Sequence, residues 1–479
     1  MGKQGGFLEY ERHTPGYRPA DERLHDYRAV EKTLAPDELN RQAARCMNCG
    51  IPFCHGSGCP LGNVIPEFND AAYKGEWERA LQILLSTSSF PEFTARICPA
   101  PCEASCTLEL SNGQPVAIRQ IEYAVIEHGF EHGLVKPRPP KERSGYRVAV
   151  IGAGPAGLTV ADVLNRHGHD VTVFDQWPKP GGILRYGIPD FKLEKWVVDR
   201  RVDLMTQEGV DFECAVSVGE DISYRYIRDR YDAIVLTGGS RDPRDLNVPG
   251  HDLNGTHFAM DFLTLQNRKN DGETIPADQD ISAEGKNVIV VGGGDTGSDC
   301  IGTSLRQGAA SVTQIEIMPE PPEERADHTP WPEWPLKLRT SSSHEEGCER
   351  LWSCSVQELK GNDGTVDTAV CQRMDCTFEN GRPAFTPVAD SAFTLPAQLV
   401  LLAMGFVGPG RNRIVEDLGI QKDPRGNIHV EDRHMTSIEG IFTAGDMSTG
   451  QSLVVRAMAD GKQCAEDVNT YLTHPATHP

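Results

Sequence analysis

The 479-residue chain contains no apolar run long enough to cross a bilayer. A spanning helix needs about 20 apolar residues in a row, and the best candidate, residues 399–404, is far too short. No apolar segment follows the polar start Met1-Gly2-Lys3-Gln4, so no secretory signal is expected. Gly6 stands where a myristoylation signal carries Ser or Thr. Positive charge is scarce: 47 Lys and Arg face 69 Asp and Glu, a formal net charge of −22. Nucleic acids and anionic membranes both select a cationic footprint, so neither is an expected partner. A local basic patch can still serve a single phosphate. The expectation is a cytoplasmic protein, ordinary in composition at 38% hydrophobic and 24% charged residues. Its length leaves room for two to four domains.

Cysteine, by contrast, is concentrated. Cys46, Cys49, Cys54, Cys59, Cys98, Cys102 and Cys106 make up half of the 14 in the chain. In a reducing compartment such clustering favours metal or redox chemistry over structural disulfides. Strand patterns are scarce around them. Residues 71–85 carry a helical apolar pattern through Tyr73, Trp77, Leu81 and Leu84, and residues 116–128 carry another. Residues 1–145, including a linker over 133–141, are therefore read as a small α-helical domain held together by its metals.

Downstream the pattern becomes α/β. A buried strand over 147–151 runs into Gly152-Ala153-Gly154-Pro155-Ala156-Gly157, a helix should follow through Leu164, and the next strand ends at Asp175. A second strand, 286–291, enters Gly292-Gly293-Gly294-Asp295-Thr296-Gly297, with its partner over 312–316. Residues 350–395 alternate as antiparallel strands do. A strand at 441–446 and a helix from Ser452 close the chain. These are two Rossmann-like dinucleotide-binding domains, with the second (281–397) inserted into the first (146–280 and 398–479).

Both glycine loops lie between strand and helix, the context that gives the motif its meaning. Gly152 and Gly292 make the tight turn. Gly154 and Gly294 let a pyrophosphate approach the backbone, and Gly157 and Gly297 let the helix pack on the strand. The helix N-terminus then meets the anion, with Pro155, Ala156, Asp295 and Thr296 in the first turns. Asp175 is placed to accept from a ribose. The segment Pro180-Gly181-Gly182-Ile183-Leu184-Arg185-Tyr186-Gly187-Ile188-Pro189 and the later Gly445-Asp446 resemble the flavoproteins with two dinucleotide-binding domains. That resemblance implies FAD in the first site, near Gly182 and Arg185, with Asp446 at its ribityl-pyrophosphate region. A helix after Gln451 would aim its positive end at the flavin and favour the reduced anion. The first unit has no cysteine pair of the kind disulfide reductases need. Cys371 and Cys376 are read as structural thiols, since residues five apart on a strand face opposite ways.

The second site is left for a nicotinamide nucleotide. Glu316 sits where an acid selects NAD, while Arg325, Lys337 and Arg339 follow and can meet the 2′-phosphate of NADP. Local reading leaves NADPH and NADH nearly even.

The cysteines read C-x2-C-x4-C-x4-C-P and C-P-x2-C-x3-C, close to the bacterial ferredoxin run but distinct from it. Zinc on Cys46, Cys49, Cys54, Cys59 and His55 is the alternative. Flavin releases electrons singly and iron–sulfur clusters carry one at a time, whereas zinc has no such use.

Cys46-Met47-Asn48-Cys49-Gly50-Ile51-Pro52-Phe53-Cys54, Cys98-Pro99-Ala100-Pro101-Cys102-Glu103, Gly182-Ile183-Leu184-Arg185-Tyr186-Gly187-Ile188-Pro189 and Gly440-Ile441-Phe442-Thr443-Ala444-Gly445-Asp446 together span nearly the whole chain. In these the chain resembles the small (β) subunits of bacterial glutamate synthase. The N-terminal part of dihydropyrimidine dehydrogenase and the NADH-dependent ferredoxin:NADP reductase share the build. The resemblance implies FAD, NADPH and two 4Fe–4S clusters. Cys46, Cys49, Cys54 and Cys106 would hold one cluster. Cys59, Cys98 and Cys102 would hold the other, with Glu122 as fourth ligand and Gln120 and His55 as rivals. It also implies a large (α) partner subunit carrying FMN and an iron–sulfur cluster, and the synthesis of two glutamates from glutamine and 2-oxoglutarate. Two alternatives are an electron-transfer subunit of a related ferredoxin:NADP or pyrimidine reductase, and a zinc-stabilised flavin-binding regulatory module.

Overall fold

Proline and glycine punctuate the N-terminal unit into short helices. The computed structural model describes residues 2–379 and 381–474. In it, helices Ile65–Tyr73, Trp77–Leu85, Pro91–Ile97 and Ile118–Glu131 form the body of this unit. Proline occupies the first turn of Ile65–Tyr73 and Pro91–Ile97, where its missing N–H costs nothing. The single helical pattern over 71–85 resolves into two helices, because Gly75 takes a left-handed φ of 71° between them. The core here is small: Ile65, Phe68, Leu81, Leu84, Ile121 and Val125 pack with the thiols of Cys46, Cys102 and Cys106.

Two five-stranded parallel sheets follow. The first runs, in spatial order, Ile441–Thr443, Ala233–Leu236, Arg147–Ile151, Asp170–Asp175 and Asp211–Cys214. The second runs Thr256–Phe258, Leu399–Leu402, Asn287–Val291, Ser311–Ile315 and Glu349–Leu351. Their central strands are buried on both faces, as parallel sheets covered by helices must be. The expected boundaries at 280 and 398 are corrected by the pairing. Leu399–Leu402 hydrogen-bonds to Asn287–Val291 and Thr256–Phe258 hydrogen-bonds to Leu399–Leu402. Residues 256–258 and 399–402 both fall within the bounds expected for the first unit. An all-apolar run such as Leu399–Leu402 fits either sheet, and only the register decides. Strands Cys354–Asn362, Thr365–Glu379, Arg382–Pro387 and Phe393–Pro396 pair antiparallel beside the second sheet.

The helical unit is bolted to both sheets. Phe90 and Phe93 are fully buried in the core of the first α/β unit, each contributing about 1.5–3 kcal/mol by the area it removes from water. Arg201 Nε meets Glu92 Oε1 at 2.6 Å, both side chains nearly inaccessible. Glu346 receives Arg23 at 2.5 Å and Arg306 at 2.6 Å, tying the N-terminal segment to the second unit. Among the described residues, no helix is long and apolar enough to cross a membrane.

Candidate redox site

The seven thiols divide between two cavities. One is lined by Cys46, Cys49, Cys54 and Cys106. The other is lined by Cys59, Cys98, Cys102 and Glu122. Ile65 and Ile118 line both, so one layer of aliphatic side chains separates them. Helix Ile118–Glu131 supplies Glu122, and helix Pro91–Ile97 leads directly into Cys98. The side chains surround a space rather than converge on a point. Among the described residues, no three His, Cys, Asp or Glu side chains are placed to hold a single ion, and the geometry does not form the tetrahedral site zinc requires.

Electrostatics match a polynuclear, cationic guest. Burial pushes up the thiols of Cys46, Cys54, Cys59, Cys102 and Cys106, and that of Cys98 to about 12. No Lys, Arg or His lines either cavity. Thiolates there need positive charge from what they bind, which iron supplies. Glu122 is buried, and its carboxyl is raised to about 7 by burial, which outweighs the Thr94 hydrogen bond. Thr94 Oγ1 donates to Glu122 Oε1 at 2.6 Å. The two rivals point elsewhere. Gln120 Nε2 donates to Glu31 at 2.8 Å, and His55 Nδ1 pairs with the Asn63 carbonyl at 2.9 Å.

The first glycine loop is built for close approach. A Cβ at Gly152 would lie 2.5 Å from the Thr237 carbonyl, and one at Gly157 only 1.9 Å from the Gly152 carbonyl, whereas Gly154 faces open space. Helix Pro155–Arg166 starts at this opening. Gly182, at a φ of 51°, seats its loop on Gly154, where a Cβ would meet the Gly154 Cα at 2.7 Å. Arg185 is buried. It donates Nε to the Pro180 carbonyl at 2.7 Å and pairs with Asp199, but its Nη1 has no protein partner. An orphaned buried donor suits an anionic ligand. Asp175 is buried, and its carboxylate accepts from Ala153 N–H at 2.6 Å and Trp177 N–H at 2.8 Å. It braces the loop through both oxygens, each of which retains acceptor capacity.

The C-terminal strand meets the same loop. A Cβ at Gly445 would lie 2.8 Å from Ala156 Cβ. Asp446 follows, raised to about 6 because burial outweighs the Ser452 hydrogen bonds. Gln451 does not stand free: its Oε1 accepts from Phe406 N–H at 2.9 Å. Helix Val454–Thr473 begins just beyond. Val455, in its first turn, lines the cavity of Cys59, Cys98, Cys102 and Glu122. The expected flavin segment thus abuts the three-thiol cavity.

The second loop repeats the arrangement. A Cβ at Gly292 would lie 2.4 Å from the Ala403 carbonyl and one at Gly297 2.8 Å from the Gly292 carbonyl, while Gly294 is open. Asp295 is exposed and Thr296 half-buried in the first turn of helix Gly294–Arg306. Glu316 lies directly on this loop, where a Cβ at Gly293 would overlap its Oε1. Arg325 donates Nη1 to the carbonyls of Thr329 at 3.0 Å and Glu333 at 2.7 Å and Nη2 to that of Ala104 at 3.3 Å. Its guanidinium ties the proline-rich loop to the helical unit.

Three site residues went unnoticed in the sequence: Thr94, Val455 and Asp460, which accepts from Gly445 N–H at 2.6 Å. Each acts on a residue distant in the chain or through side-chain direction, and no local pattern marks it.

Comparison with known proteins agrees with this division. Residues 146–461 match the pyridine nucleotide-disulphide oxidoreductase family. Residues 23–134 match dihydropyrimidine dehydrogenase domain II, 4Fe-4S cluster. The glutamate synthase [NADPH] small chain of Mycobacterium tuberculosis is 49% identical, over 100% of this chain and 98% of that one. That of Bacillus subtilis is 41% identical, over 100% of both. Among solved structures, Mycobacterium tuberculosis FprA in complex with NADPH is similar in fold, with a TM-score of 0.56, 20% identity, and coverage of 70% of this chain and 85% of that one.

Proposed function

The chain belongs to the family of glutamate synthase small chains, and on that premise we propose that it is the electron-input subunit of such an enzyme. It oxidises NADPH and passes the electrons to a large FMN-containing subunit, which makes L-glutamate from L-glutamine and 2-oxoglutarate. It works in the cytoplasm. The first glycine loop would hold FAD and the thiols two 4Fe–4S clusters, which would supply hydride acceptance and one-electron transfer when bound.

The chain's own residues do the holding. Gly152, Gly154, Gly157 and Gly182 open the first loop to a pyrophosphate, with Arg185 Nη1 as a spare donor. Gly292, Gly294 and Gly297 do the same in the second unit, the site for NADPH. Asp446 stands at the flavin side of the first loop. Cys46, Cys49, Cys54 and Cys106, which line one cavity, would hold one cluster, and Cys59, Cys98, Cys102 and Glu122, which line the other, would hold the second. No side-chain acid or base is needed to move a hydride; the protein aligns the two rings and keeps water out.

One observation carries the reading. Val455 links the flavin helix to the three-thiol cavity, and Ile65 and Ile118 link that cavity to the four-thiol one. This adjacency supports an order: flavin, three-thiol cluster, four-thiol cluster, partner. Anaerobic mixing with NADPH should bleach the flavin and then reduce the clusters. The chain should carry acid-labile sulfide and co-purify with a large FMN-containing subunit. Zinc without sulfide, or rapid bleaching by NADH alone, would overturn the proposal.

A further inference from the structure

Two polar side chains other than cysteine line the four-thiol cavity, Asn69 and Thr107. Thr107 is engaged, its Oγ1 lying 3.7 Å from Cys49 Sγ. Asn69 is not. It sits on helix Ile65–Tyr73, is 0% exposed, and neither its Nδ2 nor its Oδ1 meets a protein atom in hydrogen-bond geometry. Buried carboxamides are almost always paired, and an exception points to something missing. The surroundings are apolar, with Ile65, Pro66, Leu108 and Val116 lining the same wall. Asn69 and Cys46 line the same cavity.

We propose that Asn69 is a tuning residue for the four-thiol cluster, its amide N–H directed at the sulfur of Cys46 or at the cluster's own sulfide. This rests on the cluster reading above. The physical reason is charge. A cluster that takes up an electron becomes more negative, and an N–H donor on its sulfur stabilises that state more than the oxidised one. The polar lining of the three-thiol cavity other than cysteine is Asn63, Thr94 and Glu122, and none of these is an orphaned buried amide. Asn63 Oδ1 accepts from Thr87, and Thr94 donates to Glu122. Asn69 therefore raises the potential of the far cluster relative to the near one, and electrons run outward from the flavin. It touches no substrate and is not a catalytic residue.

The test is an EPR-monitored redox titration of the whole chain carrying Asn69→Leu, which keeps the volume and removes the donor. The Glu122→Gln variant first identifies which signal belongs to the three-thiol cluster. The expected result is full iron and sulfide content, with the other signal about tenfold harder to reduce at fixed potential, a shift of about 59 mV for one electron. The three-thiol signal should stay in place. If leucine prevents cluster assembly, Asn69→Asp decides, since it keeps the shape and should move the same signal in the same direction. Unmoved potentials in the assembled variant, or a shift confined to the three-thiol signal, overturn the role of Asn69. Wild-type protein lacking sulfide would overturn the cluster reading itself, and the two failures are distinguishable.

Discussion

Thr94 Oγ1 donates a 2.6 Å hydrogen bond to Glu122 Oε1, and both residues line the cavity of Cys59, Cys98 and Cys102. The hydroxyl orients a carboxylate that no cation in the lining neutralises. An oxygen ligand is harder than a thiolate, so the two clusters should differ. Glu122→Ala should change the EPR spectrum of one cluster and leave the other as it was. Thr94→Val should broaden the same spectrum with less loss of iron. Unchanged spectra in Glu122→Ala would remove Glu122 from the ligand set.

Arg325 gives a prediction of the opposite kind. Its Nη1 and Nη2 donate to the carbonyls of Thr329, Glu333 and Ala104, a structural role in the proline-rich loop. A lost arginine–phosphate contact would raise the KM for NADPH about tenfold or more while sparing NADH. Arg325→Ala should instead leave the ratio of the two KM values within about twofold. Steady-state kinetics with both nucleotides decide it.

The buried Glu346 carries two arginines, Arg23 and Arg306, with all three side chains almost inaccessible. Removing the anion leaves Arg306 with only carbonyl acceptors and Arg23 with only the longer 3.4 Å pairing to Glu345 and carbonyl oxygens. Glu346→Ala should cost about 3–5 kcal/mol, read as a fall in denaturation midpoint at unchanged slope. A loss below about 1 kcal/mol, the value of an exposed pair, would mean that water replaces the carboxylate.

His434 sets a pH dependence. Its Nδ1 lies 2.6 Å from Asp467 and its Nε2 3.2 Å from Asp460. Burial pulls the imidazole down, but the hydrogen bonds and charges of the two aspartates outweigh it and hold it above its ordinary value. Stability from the charged ring is fully present below about pH 6.5 and is lost as pH rises through the raised value. The melting-temperature gap between wild type and His434→Gln should therefore be widest in mild acid and close on the alkaline side. A constant gap would assign the effect to packing.

Gly157 tests the first loop. A methyl there would sit 1.9 Å from the Gly152 carbonyl, which is backbone and has no free rotamer. Gly157→Ala should cost about 1–3 kcal/mol by overpacking, and flavin per chain should fall. Gly154→Ala, which faces open space, should weaken flavin binding while leaving the fold intact. The contrast between the two separates packing from ligand approach.

The glycine loops, the strands that feed them and the cysteine runs could be read directly from the chain, because each depends on neighbours within a few residues. A φ of 115° at Gly152 follows from a local turn. Gln120 and Glu122, two positions apart on one helix, show where such reading stops. Spacing puts them on different faces, but which face meets the thiols depends on how Ile118–Glu131 packs against Pro91–Ile97. The same holds for Asp175, turned inward to brace its own loop, and for Leu399–Leu402, whose apolar run suits either sheet.

The sequence by itself determined the chemistry available: seven soft ligands, two pyrophosphate loops and an acidic surface unsuited to nucleic acid. Only the tertiary structure decided the connections. It brought Cys59 to Cys98, Cys102 and Glu122, as the resemblance implied, and it alone set Val455 against that cavity and tied Arg325 to the carbonyls of its loop. The physical reason is that ligand type is a property of one residue. Distance between centres is a property of how helices far apart in the chain bury their apolar faces together.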